Sequence, residues 1–187
     1  SRAMDDVLAE IASLASQGVK EHVIVAQDTS RFGIDAAGRS LLPELLEKAA
    51  AIEGVMWLRV LYMYPDEVDE HVLAVMAAHD NICKYVDLPL QHADPLLLRR
   101  MNRRGDIEKT RVFLKNARDM GFTLRTTFIV GFPGETEEQF ERLLDFVRDI
   151  QFDRLGAFTY SAEEDTPAAL MPDQVPEDIK QQRLDRL

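Results

Sequence analysis

Short apolar runs alternate with segments of helical period along the whole chain, and this alternation restricts the fold more than any other feature. Val23 to Ala26, Val55 to Tyr62, Ile82 to Leu90, Thr126 to Val130 and Phe152 to Tyr160 each read as a strand. Between them, Leu41, Leu42, Leu45, Leu46 and Ala49 mark one helical face, and Val68, Val72, Val75 and Met76 a second. Ile107, Thr110, Phe113, Leu114 and Ala117 mark a third, and Phe140, Leu143, Leu144, Val147 and Ile150 a fourth. A helix through Val7, Leu8, Ile11, Leu14 and Ala15 precedes the first strand, and Pro176 opens a last helix reaching Leu187. Strands separated by helices join parallel neighbours through right-handed crossovers, so the class is α/β. The runs are nearly continuous in apolar character, which predicts strands covered on both faces.

Signals at the element ends agree. Ser40, Asp94, Asp106 and Thr136 stand at helix N-cap positions, and Pro65 with Asp66 turns the chain into the second of the four helices. Polar residues recur at the carboxyl ends of the strands: Gln27-Asp28, Tyr64-Pro65, Gln91-His92, Gly131 to Glu135, and Ser161. Five strands are too few for a closed eight-stranded barrel. A partly open barrel brings those five tips to one hollow, whereas a flavodoxin-like doubly wound sheet, the alternative, spreads them along an edge.

The run Thr126 to Val130 ends at Gly131, Pro133 and Gly134, and Thr136 with Gln139 forms a capping box. Glycines between a strand end and a helix start let backbone N–H groups approach a ligand where the helix dipole favours negative charge. The same glycines also serve a plain sharp turn.

At 187 residues and 46% hydrophobic content the chain suits one domain. The net charge of −11 argues against broad binding to nucleic acid or anionic membranes. No apolar run approaches the roughly 20 residues that span a bilayer, and a single cysteine, Cys83, fits a reducing, cytoplasmic setting. Cys83 reads as a small core residue, and Met56, Trp57 and Tyr62 as core and rim. His22, His71, His79 and His92 form no ligand pair, so the chain has no self-contained metal site. Gln91 and His92 should project into the mouth, either toward a ligand or as a histidine satisfied by a local carbonyl. Arg99, Arg100, Arg103 and Arg104 complement a helix C-terminus or meet an anion, and Glu163, Glu164 and Asp165 read as a solvated run.

Six stretches then carry a resemblance. Ala26-Gln27-Asp28-Thr29-Ser30-Arg31-Phe32-Gly33-Ile34-Asp35, Leu61-Tyr62-Met63-Tyr64-Pro65, Leu88-Pro89-Leu90-Gln91-His92-Ala93-Asp94, Leu98-Arg99-Arg100-Met101-Asn102-Arg103, Thr127 to Thr136, and Phe158-Thr159-Tyr160-Ser161 resemble, in order, motifs of the radical S-adenosylmethionine methylthiotransferases. The Ala-Gln-Asp-Thr, Tyr-Pro and Gln-His forms resemble the type that methylthiolates an aspartate of ribosomal protein uS12. The sister type, acting on a transfer-RNA adenosine, more typically shows Gly-Gln-Asn and Gln-Ser-Gly. Asp165 stands where the family usually has glycine, and Ala3 where proline is common.

The resemblance implies strands two to six of a six-stranded partial barrel over residues 1–187, a single domain cut from a longer protein. It implies that the cluster-binding Cys-x-x-x-Cys-x-x-Cys loop, an N-terminal second-cluster domain and a C-terminal small β domain all lie outside this chain. S-adenosylmethionine and two 4Fe-4S clusters would serve the parent protein, none ligated by this fragment, with iron-sulfur assembly and electron-donor proteins as partners. By position, Gln27, Asp28, Gln91, His92 and Thr126 would face the cofactor or substrate at the mouth, and Val130, Gly131 and Tyr160 would give backbone and apolar contacts to adenine. Two readings of other classes remain: a phosphate-binding α/β enzyme using the Gly131 to Thr136 turn, and a non-catalytic acidic interaction fragment.

Overall fold

The computed structural model describes every residue except Asp66 and Asp69, so the turn expected at Asp66 lies outside the described residues. The order is α1 (Met4–Ser16), β1 (Glu21–Ile24), α2 (Ile34–Ala37), α3 (Leu42–Ala50), β2 (Trp57–Val60), α4 (Glu70–Ala78), β3 (Tyr85–Asp87), α5 (Pro95–Arg100), α6 (Ile107–Asp119), β4 (Thr123–Val130), α7 (Glu137–Ile150), β5 (Arg154–Thr159) and α8 (Glu177–Arg186). All strand pairings are parallel: Glu21 opposite Trp57, Asp87 opposite Arg125, and Thr127 opposite Gly156 set the registers. Ladder bonds give a β1-β2 pair and a β3-β4-β5 sheet. Main-chain bonds from Leu58 to Asn81, from Cys83 to Leu58 and from Met63 to Asp87 join the two sheets into one open wall.

One face of this wall carries the core. Leu58, Val60, Val86, Leu124, Phe128 and Val130 pack there beneath Leu46, Met76, Leu114, Phe140, Leu143 and Phe146 of the helices. The other face is uncovered, contrary to the expectation from apolar runs. Along β4 burial alternates strictly, with Leu124, Thr126, Phe128 and Val130 buried and Thr123, Arg125, Thr127 and Ile129 partly open. Val23, Trp57 and Phe158 stand 46%, 54% and 61% exposed on that open face, sharing it with Arg59 and Ile129 through the parallel register.

Met56 and Tyr62 are likewise exposed rather than core. Cys83 is only half-buried at the start of β3, and burial pushes its thiol pKa up.

Local signals explain the helix starts. Asp94 caps α5, its Oδ1 accepting from the Leu96 and Leu97 amides at 3.0 Å each. Asp106 caps α6, and Thr136 forms the reciprocal box with Gln139 at the head of α7. Ser40 lies one position before the cap of α3, but its hydroxyl still accepts from the Leu42 amide at 3.3 Å.

Asp94 does more than cap. Gln139 Nε2 donates to its Oδ1 at 3.0 Å and Arg142 Nε to its Oδ2 at 2.9 Å, tying α5 to α7. Replacing Asp94 by Ala is expected to lower stability by about 2 kcal/mol, cap and ion pair together. Urea denaturation measures it, and a midpoint unchanged within error would deny the tie.

Candidate functional site

Backbone bonds lace the carboxyl ends of the strands together. The Thr29 amide donates to the Tyr62 carbonyl at 3.0 Å and Met63 to Asp87 at 3.0 Å. Leu88 donates to Arg125 at 3.0 Å, Gln91 to Thr127 at 2.9 Å, and Tyr160 to Val130 at 2.8 Å. The five tips therefore form one continuous rim, as an open barrel requires.

Three adjoining hollows lie along the rim. The first, of about 510 Å³, is walled in part by Asp28, Tyr64, Pro89 and His92. A second, of about 670 Å³, follows β1 and includes Gln27 and Asp28. The third, of about 610 Å³, is lined by Gln91, Thr127, Ile129, Phe132, Phe158 and Tyr160 among others. Asp28 belongs to the first and second, and Met101, Asn102 and Arg103 to the first and third.

Gln27, Asp28, Gln91 and Tyr160 all line these hollows. Gln91 adopts a left-handed backbone, φ 69°, and bridges to Phe128. That turn inverts the side-chain alternation, and His92 next to it is fully buried instead of projecting outward. The Asp94 amide donates to His92 Nδ1 at 2.9 Å, and burial, above all, lowers the ring's pKa to about 4. His92 is therefore a neutral wall residue.

Thr126 is also not mouth-facing. It lies fully buried on the core side, and its hydroxyl donates to the Leu88 carbonyl at 2.9 Å. The side chain of Val130 is in the core, and its carbonyl is taken by Tyr160.

Gly131 closes against the molecule itself. The Glu135 carboxylate accepts from the Gly131 and Phe132 amides at 2.5 and 3.2 Å, so the backbone donors proposed for an anion are already satisfied. A Cβ on Gly131 would meet Lys180, and one on Gly134 would meet Arg100. Of the two readings of this glycine turn, the geometry supports the sharp corner and weighs against a phosphate seat. Asp165 takes φ 63°, so it fills the place of the expected glycine in a glycine-like conformation.

Residues that the sequence reading missed come from the other face of β4 and β5: Thr127, Ile129 and Phe158. The period of two was the signal, because placing Leu124 in the core puts Thr127 and Ile129 on the opposite side.

Helix α8 supports this corner from behind. Lys180 Nζ donates to the Tyr160 carbonyl at 2.9 Å, and Arg183 Nη1 donates to Glu135 Oε1 at 3.2 Å and to its carbonyl at 3.1 Å. Burial pushes the Glu135 carboxyl up to about 7 against the pull of Arg183 and the two amides. The folded state then holds this proton more tightly than the unfolded chain, whose carboxyl titrates near 4.5. The resulting stability is full below about pH 4.5 and disappears as pH rises through about 7. A fall of roughly 2–3 kcal/mol is expected between pH 5 and 8. Denaturation midpoints across that range should show it, and Glu135→Gln should flatten the profile.

The third hollow fits a nucleoside. Ile129, Phe132 and Phe158 give it apolar walls and Gln91 an amide, and Tyr160, whose buried hydroxyl has no hydrogen-bond partner among the described residues, also lines it. An iron-sulfur cluster does not fit: no group of three or more His, Cys, Asp or Glu among the described residues is arranged to hold a metal. No helix among the described residues is long and apolar enough to cross a membrane.

Comparison with known proteins agrees with this geometry. The model of the radical SAM superfamily matches residues 1–147. The ribosomal protein uS12 methylthiotransferase RimO of Pelotomaculum thermopropionicum is 52% identical over 100% of this chain, which covers 42% of that protein. RimO of Heliobacterium modesticaldum is 46% identical over 100% of the chain and 41% of its own length, so the chain spans about two fifths of these relatives. Among solved structures, coproporphyrinogen III oxidase (HemN) from Escherichia coli superposes with a TM-score of 0.67 at 22% identity, over 98% of this chain and 43% of that one. The methyltransferase TsrM from Kitasatospora setae gives 0.66 at 22% identity, over 85% and 31%. An open parallel wall with its polar tips on one rim, and a family match over most of its length, lead to one conclusion: the chain belongs to the radical SAM superfamily.

Proposed function

We propose that this chain is the central partial-barrel domain of a methylthiotransferase that modifies an aspartate of ribosomal protein uS12 in the cytoplasm. The observation that carries the reading is the match along the whole chain to relatives named uS12 methylthiotransferase RimO. In this reading a cluster-binding loop, a second-cluster domain and a small β domain belong to the longer polypeptide. Iron-sulfur assembly and electron-donor proteins are its further partners.

Bound at a reduced cluster, S-adenosylmethionine supplies one-electron, hydrogen-abstracting chemistry. This chain's residues bind and orient it. Gln27 and Asp28 offer an amide and a carboxylate to its amino acid end, and Gln91 faces its ribose. Ile129, Phe132 and Phe158 would give the adenine apolar contacts, next to the Tyr160 ring. Thr126, Val130, Gly131 and His92 shape the rim from beneath rather than touch the ligand.

Cluster-loaded holoenzyme given S-adenosylmethionine, a low-potential reductant, a sulfide source, uS12 and transfer RNA should add one methylthio group to an aspartate of uS12, read by mass spectrometry. Modification of transfer-RNA adenosine instead, with uS12 untouched, would assign the chain to the sister activity.

A further inference from the structure

Lys180 on α8 is only 8% exposed, a rare setting for a lysine that lacks a strong ion pair. The carboxylate that meets its Nζ among the described residues is Glu177, at 3.0 Å, and the Glu177 side chain is 76% exposed. An ion pair open to water on one side contributes little, so it does not account for burying the ammonium. The burial calls for another reason.

Its remaining contacts supply one. The Nζ donates to the Tyr160 carbonyl at 2.9 Å and lies 5.5 Å from the centre of the Tyr160 ring. The methylene stem crosses Gly131 to get there, and a Cβ on that glycine would collide with Lys180 Cγ. Gly131, at φ 73°, therefore serves two ends: it turns the chain after β4, and it leaves the passage through which the lysine reaches the residue following β5. Tyr160 is held on both sides, because its amide donates to the Val130 carbonyl at 2.8 Å while its carbonyl accepts from Lys180. Its ring stands edge-on to Phe132 with centroids 5.2 Å apart, and both rings line the third hollow. Lys180 does not line that hollow. It can act on a ligand there only through Tyr160.

We propose that Lys180 is a positioning residue for the third hollow: by holding the Tyr160 carbonyl and ring face, it fixes the wall against which the adenine packs and so sets cofactor affinity. The inference rests on reading this hollow as the nucleoside seat. A wall fixed before the ligand arrives needs less ordering on binding, so loosening it weakens affinity without removing a direct contact. The ammonium carries this role, since an apolar stem alone would pack equally well.

The test uses cluster-loaded holoenzyme and two probes, S-adenosylmethionine and 5′-deoxyadenosine, the second carrying the nucleoside without the amino acid end. Dissociation constants are read by equilibrium dialysis. Lys180→Met keeps most of the stem and removes the donor, and it should weaken both probes by the same factor, about five- to tenfold, the worth of one hydrogen bond. Lys180→Arg, which returns a cationic donor, should fall between native and Lys180→Met. Glu177→Gln, which removes only the exposed partner, should stay within about twofold of native. In reductive cleavage of S-adenosylmethionine, Lys180→Met should raise KM by that same factor with kcat within about twofold. Its amide exchange should accelerate at Tyr160 and Ser161 more than at Leu58, and its thermal midpoint should fall by less than about 5 °C. Unchanged affinity overturns the proposal, and so does a loss confined to S-adenosylmethionine, which would place the effect at the amino acid end. A loss of affinity that comes only with a larger drop in the midpoint and uniform exchange makes Lys180 a structural residue and also overturns it. If the native enzyme binds neither probe, the nucleoside reading fails and this inference fails with it. Native binding beside an unaltered Lys180→Met removes only the positioning role.

Discussion

Arg183→Met is expected to destabilise the protein by about 3–5 kcal/mol at pH 8, the usual range for breaking a buried pair from one side. Arg183 is 5% exposed and Glu135 is 5% exposed, so neither group can be rehydrated without opening the corner. Methionine fills much of the volume but returns none of the bonds that Arg183 makes to the Glu135 carboxylate, the Glu135 carbonyl and Glu137. The loss should be smaller at pH 5, about 1–2 kcal/mol, because a carboxyl titrating near 7 is then protonated and leaves no buried charge behind. Guanidinium denaturation at both pH values measures the pair of effects. A loss independent of pH would mean that Arg183 acts only through packing.

Phe128→Ala should cost about 3–5 kcal/mol, the value for deleting a fully buried aromatic ring. The side chain has no exposed surface and meets Phe152 edge-on with centroids 5.8 Å apart. Its consequence reaches the mouth. Phe128 bridges to Gln91, whose amide bonds to Thr127 and whose carbonyl accepts from Ile129 at 2.8 Å. A cavity beneath that bridge frees Gln91 to leave its left-handed backbone, so amide exchange at Gln91 and Ile129 should accelerate more than at Leu58. Uniform acceleration, with a loss under about 1 kcal/mol, would show that the ring does not anchor the rim.

These two residues also show what the sequence makes legible. Phe128 is predicted as strand and core because a β-branched and aromatic run bounded by glycines has few other solutions, and the period of helix α7 is equally plain. Asp94, Asp106 and Thr136 announce their caps because the chemistry is local. The face of β4 was harder. Thr126 and Thr127 are identical as residues, and only the packing of Leu124 and Phe128 under the helices decides which threonine meets the open side.

His92 was misplaced for a different reason. A non-glycine residue, Gln91, sits at positive φ, and no sequence rule flags that. The role of Glu135 was hidden because its partners, Gly131, Phe132 and Arg183, join a near turn to a helix almost fifty positions on. Long-range electrostatic closure of this kind leaves no periodic trace.

The nucleoside of S-adenosylmethionine is expected to enter the hollow between Gln91 and Tyr160. The direct measurement is an NMR titration of this chain with S-adenosylmethionine, following backbone amides. Shifts concentrated at Gln91, Thr127, Ile129, Phe158 and Tyr160 are the predicted result. Shifts confined to the Gly131 to Thr136 turn, or reproduced there by inorganic phosphate while the hollow stays silent, would contradict it.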